Sequence, residues 1–60
     1  MEVREVIFNR TGFSNVAVRD LAAVLKENPY DAHDIERAVA EGKKFETRDT
    51  KGWGYSVARA

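Results

Sequence analysis

The 60-residue sequence contains no cysteine, only one proline, and no apolar run of the roughly 18 residues that a membrane-spanning helix needs. The absence of cysteine excludes a disulfide framework and a thiolate metal site, and it suits a reducing compartment. Residues 1–5 (MEVRE) are too charged for a secretory signal peptide. We therefore expect a cytoplasmic protein with no membrane partner.

Large apolar residues are also scarce. Leu, Ile, Val and Phe together make up 14 of the 60 residues, just above the roughly 20% below which disorder is the better expectation. A chain of this length buries only about 60% of the surface that its unfolded form exposes. We expect one small domain, residues 1–60, of marginal stability, to which a homodimer would add buried surface.

The formal net charge is zero, which removes the simplest argument for a nucleic-acid partner, a global excess of Lys and Arg. The charges are nevertheless segregated along the chain. Residues 31–41 hold four acidic residues against one basic, whereas residues 42–60 hold five basic residues against two acidic. An acidic segment is thus followed by a basic tail.

The first half of the chain predicts a strand and then a helix. Residues 3–8 (VREVIF) are rich in β-branched and aromatic side chains and favour a strand, although the spacing of their apolar residues also fits a helix. Ser14 or Asn15 can cap the start of a first helix that runs to Leu25. Apolar residues recur there at intervals of three and four, namely Ala17, Val18, Leu21, Val24 and Leu25.

A second helix is predicted after the break at Asn28-Pro29, because the residue before a proline disfavours helical geometry. Asp31 is in position to cap this helix, and Asp34 lies three residues later in the position of a capping box. Gly42 follows the last apolar position, where a left-handed C-terminal cap is needed.

The C-terminal residues predict a β-hairpin whose register follows from the side-chain pattern. Residues 49–52 (DTKG) form a type I turn closed by a left-handed glycine. With a three-residue loop, Phe45 lies opposite Val57 and all the bulky residues share one face, as a buried face requires. The fold class is therefore α+β in the order β-α-α-β-β, with two helices packed on a short antiparallel sheet.

Residues 14–25 (SNVAVRDLAAVL), residues 35–42 (IERAVAEG) and the hairpin resemble the helix-turn-helix and wing of winged-helix DNA-binding domains. The resemblance covers residues 14–58. It implies a second helix that enters the major groove and a hairpin that contacts backbone phosphates.

Residues 51–57 (KGWGYSV) are similar to the basic-glycine-aromatic motif of RNA-recognition and cold-shock proteins. This second resemblance implies that Trp53 and Tyr55 form a platform on which unstacked bases lie. The alternative interpretation is that both rings belong to the core. The chain has only six aromatic residues, and a domain this small needs the stabilisation that burying two of them provides.

The sequence contains no catalytic signature, so we expect a non-enzymatic regulatory protein without a metal or cofactor. The first candidate function is nucleic-acid binding through the hairpin and second helix, by Lys43, Lys44, Arg48, Lys51 and Arg37. The alternative is a protein-binding modulator or inhibitor of a larger host protein, of the kind that phages encode, which acts through a flat sheet face or through Asp34, Glu36 and Glu41.

Overall fold

The computed structural model describes residues 1–12 and 15–60. Its helices and strands are β1 (Glu2–Asn9), β2 (Gly12–Asp20), α1 (Leu21–Glu27), α2 (Ala32–Ala40), β3 (Phe45–Arg48) and β4 (Gly54–Arg59). The strands form one antiparallel sheet in the order β2-β1-β4-β3. The predicted α+β class, with two helices and an antiparallel sheet, is confirmed.

Strand β1 occupies the centre of the sheet, and this confirms the strand that was predicted for residues 3–8. It pairs with β2 on one side and with β4 on the other, and Val3 and Glu5 are buried on the same face. Pairing on both sides satisfies the backbone N–H and C=O groups, which decides against the helix that the apolar spacing also allowed.

The prediction of a first helix that begins at Ser14 or Asn15 is wrong for most of its length. Asn15 lies in β2 opposite Ile7, Val18 lies opposite Arg4, and the helix begins only at Leu21. Ser14 lies outside the described residues. The β-branched valines of β2 suit a strand as well as a helix, and the available partner β1 selects the strand.

The break between the helices is where Asn28-Pro29 predicted it. The backbone N–H of Asn28 donates to the Val24 carbonyl at 3.1 Å, and its side-chain Nδ2 donates to the same oxygen at 2.8 Å. Asp31 precedes α2 as expected but forms no side-chain cap, so the predicted capping box with Asp34 is wrong. The Asp31 carboxylate instead accepts a hydrogen bond from the Tyr55 hydroxyl at 2.6 Å.

The β3–β4 hairpin has the predicted register. Phe45 pairs with Val57, and the backbone N–H of Asp49 donates to the Trp53 carbonyl at 2.8 Å. Gly52 closes the loop with φ +93°. Gly42, with φ +72°, ends α2 as the sequence indicated. The local turn chemistry therefore determines both ends of β3.

The core lies on one face of the sheet, which both helices cover; α1 packs beside β2 and α2 packs on β3 and β4. Its nearly fully buried residues are Val3, Val24, Ile35, Val39 and Val57. Leu21, Leu25 and Phe45, which the apolar pattern suggested as buried, are only partly buried around this cluster. In the described part of the chain, no helix is long and apolar enough to span a bilayer.

Candidate functional site

The tips of the two hairpins lie side by side at one end of the sheet, because β1 pairs with β4. A Cβ atom built on Gly52 would lie 3.2 Å from the Cα of Arg10, so the two loops approach at backbone distance. An open cleft of about 770 Å³ lies at this end and is lined by Asn9, Arg10, Thr11, Lys51 and Trp53. We call it the tip cleft.

Each tip is held by a side-chain acceptor at its first residue. The Asn9 Oδ1 accepts hydrogen bonds from the backbone N–H of Thr11 at 2.9 Å and from its hydroxyl at 2.7 Å. The Asp49 Oδ1 accepts from the backbone N–H groups of Lys51 at 2.8 Å and Trp53 at 3.0 Å. These Asx turns stabilise the conformation of both loops that line the cleft.

Trp53 is 52% exposed, so its interpretation as a core residue is wrong. It follows the β3–β4 turn and precedes the first residue of β4. Tyr55, two residues further along, makes the contact with Asp31 just before α2. A half-exposed indole ring therefore lines the cleft.

Tyr55 belongs with the core. Its ring is partly buried and lies 5.8 Å from the ring of Phe45, centroid to centroid. Burial, with the hydrogen bond to Asp31, raises the pKa of the Tyr55 hydroxyl above its ordinary value. The structure therefore separates the two aromatic residues that the sequence motif grouped together.

Three of the cations predicted to contact phosphate are paired with nearby carboxylates. The Lys43 Nζ lies 3.2 Å from a Glu41 carboxylate oxygen, and the Lys44 Nζ lies 3.1 Å from one of Glu46. Arg48 lies 3.4 Å from the second Glu46 oxygen. The expected positive cluster is thus largely compensated at the base of the hairpin.

Arg48 has a further contact, since its guanidinium carbon lies 3.6 Å from the centroid of the Phe8 ring. Such a cation–π contact stabilises the sheet by about 0.5–1 kcal/mol at an exposed site. Arg48 therefore packs on the surface of the sheet against Phe8, and it does not line the tip cleft.

Lys51 and Arg10 are the two cations of the tip cleft, and within residues 1–12 and 15–60 neither has an ion-pair partner. Lys51 was expected at a binding surface from the sequence, whereas Arg10 was not. The signal for Arg10 was the string Asn9-Arg10-Thr11-Gly12 directly after a predicted strand, which is typical of a hairpin turn.

The remaining predicted residues lie on or beside α2. Arg37 is exposed and its Nη2 lies 3.3 Å from the His33 Nε2, so Arg37 does not join the cleft. Glu41 is paired with Lys43 as described above. Asp34 and Glu36 are exposed, and no described residue forms an ion pair with either. These two carboxylates form a small acidic surface on α2.

Arg19, Glu5 and Glu27 form a second charged group, which lies away from the hairpin tips and has a structural role. Arg19 donates to the Glu27 Oε1 at 2.8 Å and to the Glu5 Oε1 at 3.3 Å. These contacts raise the pKa of Arg19, and the hydrogen bond from Arg19 lowers the pKa of the Glu27 carboxyl. Arg19 therefore compensates the buried charge of Glu5 and ties α1 to β2.

Comparison with known protein families, with curated proteins and with solved structures finds no match for this chain. The resemblances to winged-helix domains and to cold-shock proteins stay predictions.

Proposed function

We propose that the protein is a small, non-enzymatic nucleic-acid-binding domain that holds a single-stranded segment in the tip cleft. One observation carries the proposal: the half-exposed ring of Trp53 lines the same cleft as the unpaired cations Arg10 and Lys51. A stacking ring combined with cations that track the backbone is the usual way of binding single strands.

In this proposal the base of one nucleotide stacks on the Trp53 ring, while Arg10 and Lys51 each contact one of the two phosphates that flank this nucleotide. Base stacking on an aromatic side chain contributes about 1–3 kcal/mol, and it tolerates any base because every base has a π-face. The guanidinium of Arg10 suits the phosphate oxygens because it can donate two parallel hydrogen bonds.

A single strand suits the charge distribution better than a duplex does. The cleft has two free cations, and the wider surface includes the unpaired carboxylates of Asp34 and Glu36 on α2. A duplex carries one phosphate charge per roughly 1.7 Å of its axis, so the acidic helix would oppose its approach. One unstacked nucleotide requires no contact beyond the cleft.

The direct test is a titration of the protein with short single-stranded and duplex oligonucleotides. Trp53 is the only tryptophan, so a change in intrinsic fluorescence reports the cleft itself. We expect quenching by the single strand and a log–log salt slope of about −1.4, which is about −0.7 for each of two phosphate contacts. No change in Trp53 fluorescence at low salt would contradict the proposal.

Variants can distinguish binding in the tip cleft from non-specific attraction between charges. Binding of a labelled oligonucleotide should weaken about tenfold or more in Trp53→Ala, since stacking is lost, and Trp53→Phe should retain part of the affinity. The double variant Arg10→Glu/Lys51→Glu should abolish the salt slope. The control is Lys43→Glu/Lys44→Glu, which makes the same change of charge away from the cleft and should bind nearly as the original chain does.

A second candidate function is binding to a basic surface on another protein, and the unpaired carboxylates of Asp34 and Glu36 favour it. The double variant Asp34→Lys/Glu36→Lys should then lose the partner, while Arg10→Glu/Lys51→Glu should keep it. The opposite result would favour the nucleic-acid proposal for that partner.

A further inference from the structure

The two edges of the sheet are built differently. The edge strand β3 has four residues, and Glu46 and Arg48 within it carry charge. Short, charged edges are the usual protection against pairing with another chain. The other edge, β2, has nine residues without proline or lysine. The β2 edge is therefore more than twice as long as the β3 edge, and its charged residues, Arg19 and Asp20, lie only at its C-terminal end.

The exposed side chains of β2 are apolar at the middle of the strand. Val16 is 42% exposed and Val18 is 58% exposed. Both lie on the face of the sheet that the helices leave uncovered, because they pair with Val6 and Arg4 while the buried Val3 and Glu5 face the helices. In addition, β2 has only one strand neighbour, β1. Its outer backbone groups are thus open to a further strand.

We infer that the β2 edge pairs antiparallel with β2 of a second copy of this chain, which would join two sheets into one. A two-fold axis perpendicular to the sheet keeps the helices of both copies on the same side. Centred on Ala17, this pairing places Val16 opposite Val18 of the second copy, and Val18 opposite Val16 of the second copy. Both exposed valines then gain an apolar cross-strand neighbour.

Charge favours a second copy as the occupant. The charged residues of β2 are Arg19 and Asp20, and Arg19 is already compensated by Glu5 and Glu27. In the register centred on Ala17, Arg19 lies opposite Asn15 of the second copy, so no like charges meet. The net charge of zero also removes long-range repulsion between copies.

The size of the contact sets the expected strength. A stable interface buries about 800 Å² on each partner, and one pair of edge strands from a chain whose total accessible surface is 4249 Å² supplies less than a standard interface. The dimer should accordingly dissociate on dilution. Its signature is a molar mass that depends on concentration.

The test is sedimentation analysis of the full chain from about 1 μM to about 1 mM. We expect the mass to rise from the monomer value of 6.8 kDa toward twice that value. In the same samples, amide exchange of residues 15–19 should slow as concentration rises, since new hydrogen bonds form at the outer edge. A mass of one monomer at all concentrations would overturn the inference.

Variants locate the contact. Val16→Lys/Val18→Lys places charges opposite each other across the two-fold axis and should keep the chain monomeric at the highest concentration. Thr47→Lys, an exposed position on the β3 edge, should leave dimerisation unchanged. Arg4→Glu changes the middle of the uncovered face; if it abolishes the dimer while the β2 variant does not, the copies pack face to face and the inference is wrong. The amide exchange of the unmodified chain decides the matter should the lysine variant fail to fold.

Discussion

The two faces of the sheet differ in what they contribute. On the covered face, Val3 and Val57 are fully buried in one cluster with Ile35 and Val39 of α2, and the buried carboxylate of Glu5 is compensated by Arg19. The uncovered face has exposed valines at the β2 edge and ion pairs along β3. Stability is therefore concentrated on one side of the sheet, which leaves the edge and the tips accessible to partners.

The largest loss of stability that distinguishes the two faces is expected on substitution of Ile35, which is fully buried. Ile35→Ala should lower the free energy of unfolding by roughly 2–5 kcal/mol through lost transfer energy and a cavity. That is most of the stability of a domain this small. The matched variant Val18→Ala, on the uncovered face, should cost no more than about 0.5 kcal/mol. Urea unfolding of dilute samples, followed by far-ultraviolet circular dichroism, measures both, and equal losses would contradict the comparison.

Gly54 tests the close approach of β3 and β4. A Cβ at this position would overlap the Thr47 carbonyl oxygen and would lie 2.8 Å from the Cα of Arg48. Both are backbone atoms, so β3 would have to move away from β4. Gly54→Ala should therefore cost about 1–3 kcal/mol, as overpacking usually does. An unchanged urea midpoint would show that the hairpin can relax without cost.

Gly52 links stability to the tip cleft. Its φ of +93° is unfavourable for any residue with a Cβ, and that atom would lie 3.2 Å from Arg10. Gly52→Ala should cost about 1 kcal/mol or more, and it should spread the two tips and weaken binding in the cleft. Thr50→Ala, in the same loop, is the control and should change neither the thermal midpoint nor the affinity.

The smallest expected effect concerns Tyr55 and pH. Its hydroxyl has a raised pKa in the folded chain, so the unfolded chain loses the proton first as pH rises above about 10. The stabilising contribution is complete below that pH and decreases above it. Tyr55→Phe should cost about 1 kcal/mol at neutral pH through the lost hydrogen bond to Asp31, and it should also flatten the alkaline decrease in the urea midpoint.

The control for Tyr55 is Tyr30→Phe, because Tyr30 is fully exposed. This variant should keep both the neutral stability and the alkaline decrease of the original chain. An alkaline decrease that is as steep in Tyr55→Phe as in Tyr30→Phe would assign it to other groups.

Local patterns in the sequence were sufficient to predict the second half of the fold, which consists of α2 and the β3–β4 hairpin. The turn from Asp49 to Gly52 and the alternation of bulky residues predicted the hairpin in its observed register. The break at Asn28-Pro29 and the cap at Gly42 bounded α2. Each of these features depends on residues within a few positions of one another, so the amino-acid sequence alone determined them.

The tertiary structure decided whether residues 15–20 form a strand or a helix, because Val16, Ala17 and Val18 satisfy both patterns until β1 is present as a pairing partner. The tertiary structure also decided which residues come together at the tip cleft. Trp53 and Lys51 were named from the sequence, but Arg10 joins them only because β1 pairs with β4 and brings two distant turns together. Periodicity and turn chemistry are short-range properties of a chain, whereas strand pairing and exposure depend on what the rest of the chain places beside each residue.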